Sequence, residues 1–300
     1  MRTKTYLFAL MAMALTLGSC SDNENGIGGE TSKYITVSTS IGNMTRVATD
    51  ANGGQTFEEG DEISVYAWTG APTVAPETSE RVVNNAINKL TNGTWVATPQ
   101  MLWKNNREKH YFIGVYPTAA ISDLSAGEYT FDANKQTESD LLVAVNPDGL
   151  SYSADAQQTV PLTFTHVMAK LAVNLTYKNQ WGGIPTVEKV VVGNAAKEAT
   201  INYLTKVVTP STTAKEDFSL PEITENTKYV SVIIPQEEVT QLTIVIGGKN
   251  FVYDNGTPFK LESGKITTVN LEVGRDEIKL GDVKITNWED GSTFSGEALN

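Results

Sequence analysis

The chain of 300 residues has one cysteine, Cys20, and two histidines, His110 and His166. A single cysteine excludes an internal disulfide, so stability must come from packing. It also excludes paired-cysteine zinc sites, and no His-Glu-x-x-His is present. Basic residues are scarce: 23 Lys and Arg stand against 35 Asp and Glu, for a net charge of −12. Nucleic-acid binding needs a basic footprint, so it is excluded as a partner class. Long hydrophobic runs are missing too. The most apolar stretch, Tyr6 to Leu17, is about 12 residues, whereas a helix needs roughly 20 to span a bilayer. Helical periodicity of useful length is absent, and Asn84 to Lys89 offers one turn at most. No Gly-x-Ser-x-Gly elbow, phosphate-binding loop or dinucleotide fingerprint appears, and no catalytic residue, metal or cofactor is expected.

What is present begins with the apolar stretch itself. Arg2 and Lys4 precede it and Leu17-Gly18-Ser19-Cys20 ends it, the layout of an export signal over residues 1–19. Its removal would leave the mature chain more acidic still, as fits a self-repelling surface protein. Leu17-Gly18-Ser19-Cys20 resembles the bacterial lipobox, which implies that Cys20 is lipidated and becomes the first mature residue. Acyl chains contribute about 0.8 kcal/mol per buried methylene, so several chains would anchor it stably to a membrane. The run Ser21-Asp22-Asn23-Glu24 resembles the signal that sends Bacteroidetes lipoproteins to the cell surface. Residues 20–33 read as a flexible tether.

From Tyr34 the period changes to two. Tyr34 to Ile41 alternates apolar and hydroxyl residues as a half-buried strand, and Ile63 to Trp68 is a second strand. Further strands are expected at Val82–Leu90, Thr94–Ala97, His110–Tyr116, Leu141–Val145 and Val160–Phe164. The series continues through Lys170–Tyr177, Val187–Val192, Tyr229–Ile234, Leu242–Ile246, Phe251–Tyr253 and Ile266–Val273. Asn92-Gly93 carries tight-hairpin chemistry. This spacing predicts an all-β chain of two sandwiches, residues 34–157 and 158–300, divided at the polar stretch 151–158. A tail over 276–300 carries Ile278, Leu280, Val283, Ile285 and Trp288. It either packs on its own domain or fills a groove in another subunit.

Several side chains invite chemistry. His166 reads as a packing position and His110 as exposed. Glu58, Glu59, Asp61 and Glu62 are a calcium candidate or, more simply, a solvated turn. Trp68, Trp95, Trp103, Trp181 and Trp288 form either core anchors or a sugar-stacking platform. The sequons at Asn43, Asn92, Asn174 and Asn255 say little in a bacterial chain.

Taken in order, the motifs resemble the fimbrillins, pilin-like lipoproteins of the Bacteroidetes. They are the lipobox and acidic run, the strand leading to Thr45-Arg46, Thr56-Phe57-Glu58-Glu59-Gly60-Asp61-Glu62-Ile63-Ser64-Val65-Tyr66 and Ser139-Asp140-Leu141-Leu142-Val143-Ala144. After these come Leu162-Thr163-Phe164-Thr165-His166-Val167-Met168-Ala169-Lys170-Leu171 and Ile285-Thr286-Asn287-Trp288. The resemblance implies two transthyretin-like β-sandwich domains with Greek-key character and a surface-exposed lipoprotein of the outer membrane. It also implies cleavage by an arginine-specific protease, here at Arg46-Val47, and assembly with other fimbrial subunits by strand exchange. The donated strand would be Ile278 to Trp288, and the activity adhesion to a host or bacterial surface ligand. A solvated surface Arg46 is the alternative at the first site. A resident glycan- or protein-binding lipoprotein, or an anchor or tip component, is the alternative for the whole chain.

Overall fold

The computed structural model describes residues 33–42, 57–153, 158–275 and 278–288. Cys20, Arg46 and Val47 lie outside these residues. The strands of the first half are β1 (Thr36–Ile41), β2 (Glu62–Thr69), β3 (Val83–Thr91), β4 (Thr94–Thr98), β5 (Lys109–Tyr116), β6 (Gly127–Thr130), β7 (Leu142–Ser151) and β8 (Thr159–His166). Then follow β9 (Ala169–Tyr177), β10 (Val187–Ala196), β11 (Glu198–Asn202), β12 (Val207–Pro210), β13 (Lys215–Ser219) and β14 (Glu222–Thr224). The last are β15 (Lys228–Ile233), β16 (Gln236–Ile246), β17 (Lys249–Leu261), β18 (Lys265–Val273) and β19 (Ile278–Asn287). Thr78–Glu80 forms a single 3₁₀ turn. The chain is all-β.

A seven-stranded sheet runs in the order β1-β8-β7-β5-β2-β3-β4. Its two end strands approach each other, and the Trp95 indole N–H of β4 donates to Thr39 Oγ1 of β1 at 3.0 Å. Sheet curvature therefore closes one face around a core of its own. Ile63, Val65 and Ala67 of β2 point into that core with Phe112, Val160, Leu162 and Phe164. Tyr66 and Trp68 point the other way, into a larger core shared with the second half. A strand buried on both faces loses the apolar–polar alternation, which is why Val65 to Trp68 of β2 runs apolar without a break.

The second half packs a four-stranded sheet, β13-β10-β16-β17, against a five-stranded one, β14-β15-β9-β18-β19. A small sheet, β12-β11-β6, joins one strand of the first half to two of the second.

The dividing line expected between residues 157 and 158 falls inside the first sheet. β8 pairs in parallel with β1 and antiparallel with β7, so the polar stretch 151–158 connects two strands of one sheet. The crossing into the second sandwich comes at Val167-Met168, two buried residues between β8 and β9. Asn92 and Gly93 both take positive φ, as a two-residue hairpin between β3 and β4 requires.

Candidate functional site

The first site is the slot occupied by β1. Its alternation sends Ile35 and Val37 inward, where they are 1 % and 6 % exposed, followed by half-buried Thr39 and Ile41. Its backbone has two partners. Residues 101–103 hold the start: Ile35 N–H donates to Met101 O at 3.0 Å and Trp103 N–H to Lys33 O at 3.2 Å. β8 holds the rest in register from Thr36 opposite Thr159 to Ile41 opposite Phe164, and Gly42 N–H donates to Phe164 O at 2.9 Å. On the outer face, short hydroxyls meet in pairs, Thr36 with Thr159 at 3.3 Å and Ser40 with Thr163 at 3.1 Å.

Beneath β1 lies an aromatic cluster. Phe57 stands edge-on to Trp95, Phe164 and Tyr116, with ring centroids 5.3, 5.1 and 5.4 Å apart. Gly114 makes room for Phe164: a Cβ there would lie 2.6 Å from the Phe164 ring. An open pocket of about 440 Å³ between β1 and β4 is lined by Val37, Thr39, Ile41, Phe57, Leu90 and Trp95. β1 is thus an edge strand, parallel to its neighbour and sealing an apolar core.

The second site is the tail. β19 covers Ile278 to Asn287 and pairs antiparallel with β18, from Val273 opposite Ile278 to Lys265 opposite Asn287. In the single chain the tail closes its own sandwich. Ile278 and Leu280 pack half-buried on the core. The register shifts between the Leu280 and Asp282 pairings, and beyond it Val283 and Ile285 remain 36 % and 39 % exposed. β19 ends the five-stranded sheet, so its outer edge is a template for another strand.

Trp288 fastens the tail. It is fully buried, and its backbone N–H donates to Gly264 O at 3.1 Å. The ring stacks on His166, with centroids 4.1 Å apart and planes 10° from parallel, while Lys170 Nζ lies 4.5 Å from the same indole centroid. His166 Nδ1 meets Asp140 Oδ1 at 2.8 Å, and both side chains are 1 % exposed. His166 ends β8 in the first sheet and Trp288 follows β19 in the second, so the stack ties the tail to the crossing point. The motifs Ser139-Asp140-Leu141 and Phe164-Thr165-His166 placed both residues beside strands, but their hydrogen bond is a tertiary contact with no local signal.

His110 departs from expectation. It is fully buried, with Trp103 edge-on at 5.0 Å. Nε2 accepts from Lys104 N–H at 3.1 Å, and Nδ1 lies 3.2 Å from Glu108 O, a geometry that fits a neutral ring protonated at Nδ1. Burial pushes its pKa below the ordinary value. The flanking polar residues bend the chain back over the ring, which is why they misled.

The four carboxylates of 58–62 diverge. Asp61 accepts from Glu58 N–H at 2.7 Å, Glu59 from Asn92 N–H at 2.8 Å, and Glu62 pairs with Lys89 at 3.0 Å. Among the described residues no group of three or more His, Cys, Asp or Glu gathers around a point where a metal would sit. Trp68, Trp103 and Trp288 are core residues, whereas Trp95 and Trp181 are half-buried at separate sites. Among the described residues no helix is long and apolar enough to cross a membrane.

The fold of this chain is similar to that of several solved bacterial proteins. A protein from Bacteroides uniformis assigned to cell adhesion superposes with a TM-score of 0.63 at 17% identity, covering 85% of this chain and 98% of its own. One from Bacteroides ovatus, likewise assigned, gives 0.64 at 17% identity with the same coverages. A fimbrial protein from Bacteroides vulgatus gives 0.50 at 13%, covering 84% and 99%. At these identities the likeness is one of fold. No curated protein matches. The profile of the fimbrillin-like family matches residues 45–288, and the chain belongs to that family.

Proposed function

We infer that this protein is a subunit of a cell-surface fimbria that serves adhesion, exported as a lipoprotein through Cys20 and assembled by strand exchange. Cutting at Arg46-Val47 would free the segment that carries β1 and open its slot. The observation that carries this reading is the position of β1. It is an edge strand whose inward residues seal an apolar core, and the chain leaves it at Gly42, four residues before Arg46. Strand addition draws its affinity from main-chain hydrogen bonds and its register from alternate side chains. The vacated slot would offer both through β8 and residues 101–103. Its partners are other subunits of the same fimbria, and the lipid anchor holds the unprocessed chain at the outer membrane.

A second reading is supported by one observation. β19 is paired and Trp288 buried in the single chain, as fits an anchor, a tip component or a non-polymerising surface lipoprotein that binds glycan or host protein. The two separate on digestion of the chain from Cys20 onward with limiting arginine-specific protease, followed by mass spectrometry of the new N-terminus. A subunit released for assembly yields Val47 as first residue and a stable remainder. Resistance at Arg46 under conditions that cut other exposed arginines contradicts the processing step.

A further inference from the structure

The end of the second sandwich away from the crossing gathers two aromatic rings and two cations. β9 leaves the crossing at Ala169 and reaches Tyr177 about 30 Å on, where the loop 178–186 begins. Lys178 N–H donates to Val273 O at 3.1 Å and the Trp181 indole N–H to the same carbonyl at 3.0 Å, which pins the loop to the end of β18. Gln180 Oε1 accepts the Arg275 backbone N–H at 3.0 Å, so the segment after β18 is held against the loop. Phe251 of β17 stands at a steep angle to Trp181, with centroids 5.8 Å apart. The Arg275 guanidinium lies over the Trp181 ring at 5.9 Å, and the Lys249 ammonium over the Phe251 ring at 4.9 Å. Lys249 Nζ also donates to Arg275 O at 3.0 Å, which makes the two cations neighbours.

Like charges set side by side repel, and a chain of net charge −12 has carboxylates enough to separate them. Elsewhere Lys89, Lys135, Lys197 and Lys260 each pair with a glutamate. Arg275 is exposed, and among the described residues no carboxylate pairs with its guanidinium; Asp276 and Glu277 lie outside them. The glutamates bonded at this end accept from backbone, Glu188 from Gly248 N–H at 2.7 Å and Glu222 from Asn226 N–H at 2.6 Å. A guanidinium offers its donors in a planar fork that matches a carboxylate. Trp181 has turned its N–H inward and presents hydrocarbon, and Ile184 on the same loop is 64 % exposed.

We propose that this end of the second sandwich is a binding site for an acidic saccharide, a sugar ring bearing a carboxylate. Arg275 grips the carboxylate, Lys249 adds a second positive charge, and the C–H face of the sugar packs on Trp181 and Ile184. One guanidinium, one ammonium and one indole suit a single ring rather than a length of acidic peptide. The proposal rests on the adhesion reading, whose ligand class it names, and is independent of strand exchange. The place in the fold suits that role. β1 runs parallel to β8 toward the crossing, so the tether from Cys20 enters at the opposite end of the first sandwich. An anchored chain therefore carries this site on the far side of the crossing from its anchor.

The test passes the chain from Cys20 onward over immobilised sialyllactose, a glucuronate-terminated disaccharide, and lactose. Dense display lets weak single contacts be read through multivalency. The two acidic sugars are expected to bind, more weakly as salt is added, and lactose not to bind. Arg275→Gln, at an exposed side chain whose loss leaves the fold intact, should lower the apparent affinity at least about tenfold. Ile184→Asp, which sets a carboxylate beside the site, should do the same. Lys284→Gln removes an equal charge from exposed β19 and should change nothing.

No binding of either acidic sugar, equal binding of lactose, or equal losses in Arg275→Gln and Lys284→Gln overturns the proposal. Capture of polyglutamate or of phosphatidylglycerol vesicles with no acidic sugar bound assigns the site to another class of partner and overturns the saccharide. Beads coated with the chain are tested in parallel on epithelial and bacterial cells. Adhesion undiminished by Arg275→Gln overturns this site as the adhesive one and leaves the adhesion reading standing. Beads that adhere to no cell, while the acidic sugars still bind, count against the adhesion reading and leave the site.

Discussion

Replacing Trp288 with alanine should detach the tail while the rest of the protein stays folded. The indole is fully buried and covers the His166–Asp140 pair. Burying a tryptophan removes about 150–250 Å² from water. At about 25 cal/mol/Å² that is worth about 4–6 kcal/mol, close to the 3–5 kcal/mol typical of Trp→Ala in cores. Most of it would be lost locally. β19 is an edge strand bonded on one side only, and beyond the register shift Val283 and Ile285 contribute little burial to hold it. The free energy of opening the tail should therefore fall before global stability does. Hydrogen exchange followed by mass spectrometry is the assay. Peptides covering 278–288 should lose protection by about two orders of magnitude or more, while those in β2 and β5 keep theirs. Uniform loss of protection across the chain, or none in the tail, would refute the claim that Trp288 is the fastening.

Other outcomes follow from single contacts. His110 is neutral and buried, and its folded pKa lies below the unfolded value of about 6.5. Stability should therefore be lost as pH falls below about 6.5, by at most about 1.4 kcal/mol per pH unit for this proton, and His110→Gln should lessen that slope in urea titrations. Gly114→Ala would press a methyl group against Phe164 and lower the melting temperature at a cost of about 1–3 kcal/mol. The Arg81 guanidinium donates to Ile121 O at 2.6 Å and Ser122 O at 2.5 Å. Arg81→Met would leave those carbonyls unpaired, costing about 1–3 kcal/mol in thermal unfolding.

Strands with clean alternation were legible because one face is dry and the other wet. β1 announces itself in this way, and β9 and β19 carry the same alternation in sequence although β9 is buried on both faces and β19 is mostly exposed beyond Leu280. β6 and β11 to β14 did not, being three to five residues long, with their pairing set by distant segments. The polar stretch 151–158, expected to divide the chain, connects two strands of one sheet for a physical reason. A polar stretch marks a surface connection, and such connections join neighbours within one sheet as readily as separate domains. Of the candidate sites, the apolar faces of β1 and the tail could be read directly. The Trp95–Thr39 bond joins residues 56 apart, and Asp140–His166 pairs residues 26 apart with the tail tryptophan stacked on it. Such contacts depend on sheet curvature and on the crossing between sandwiches, and no local periodicity encodes either.

Assembly by strand exchange requires that freeing β1 turn a closed chain into one that joins its own copies. Its most direct test is electron microscopy and size analysis of the chain before and after a single cut at Arg46. Monomers are expected before the cut, and ladders or filaments after it whose subunits begin at Val47. A cut product that stays monomeric at high concentration, with β1 released, would contradict it.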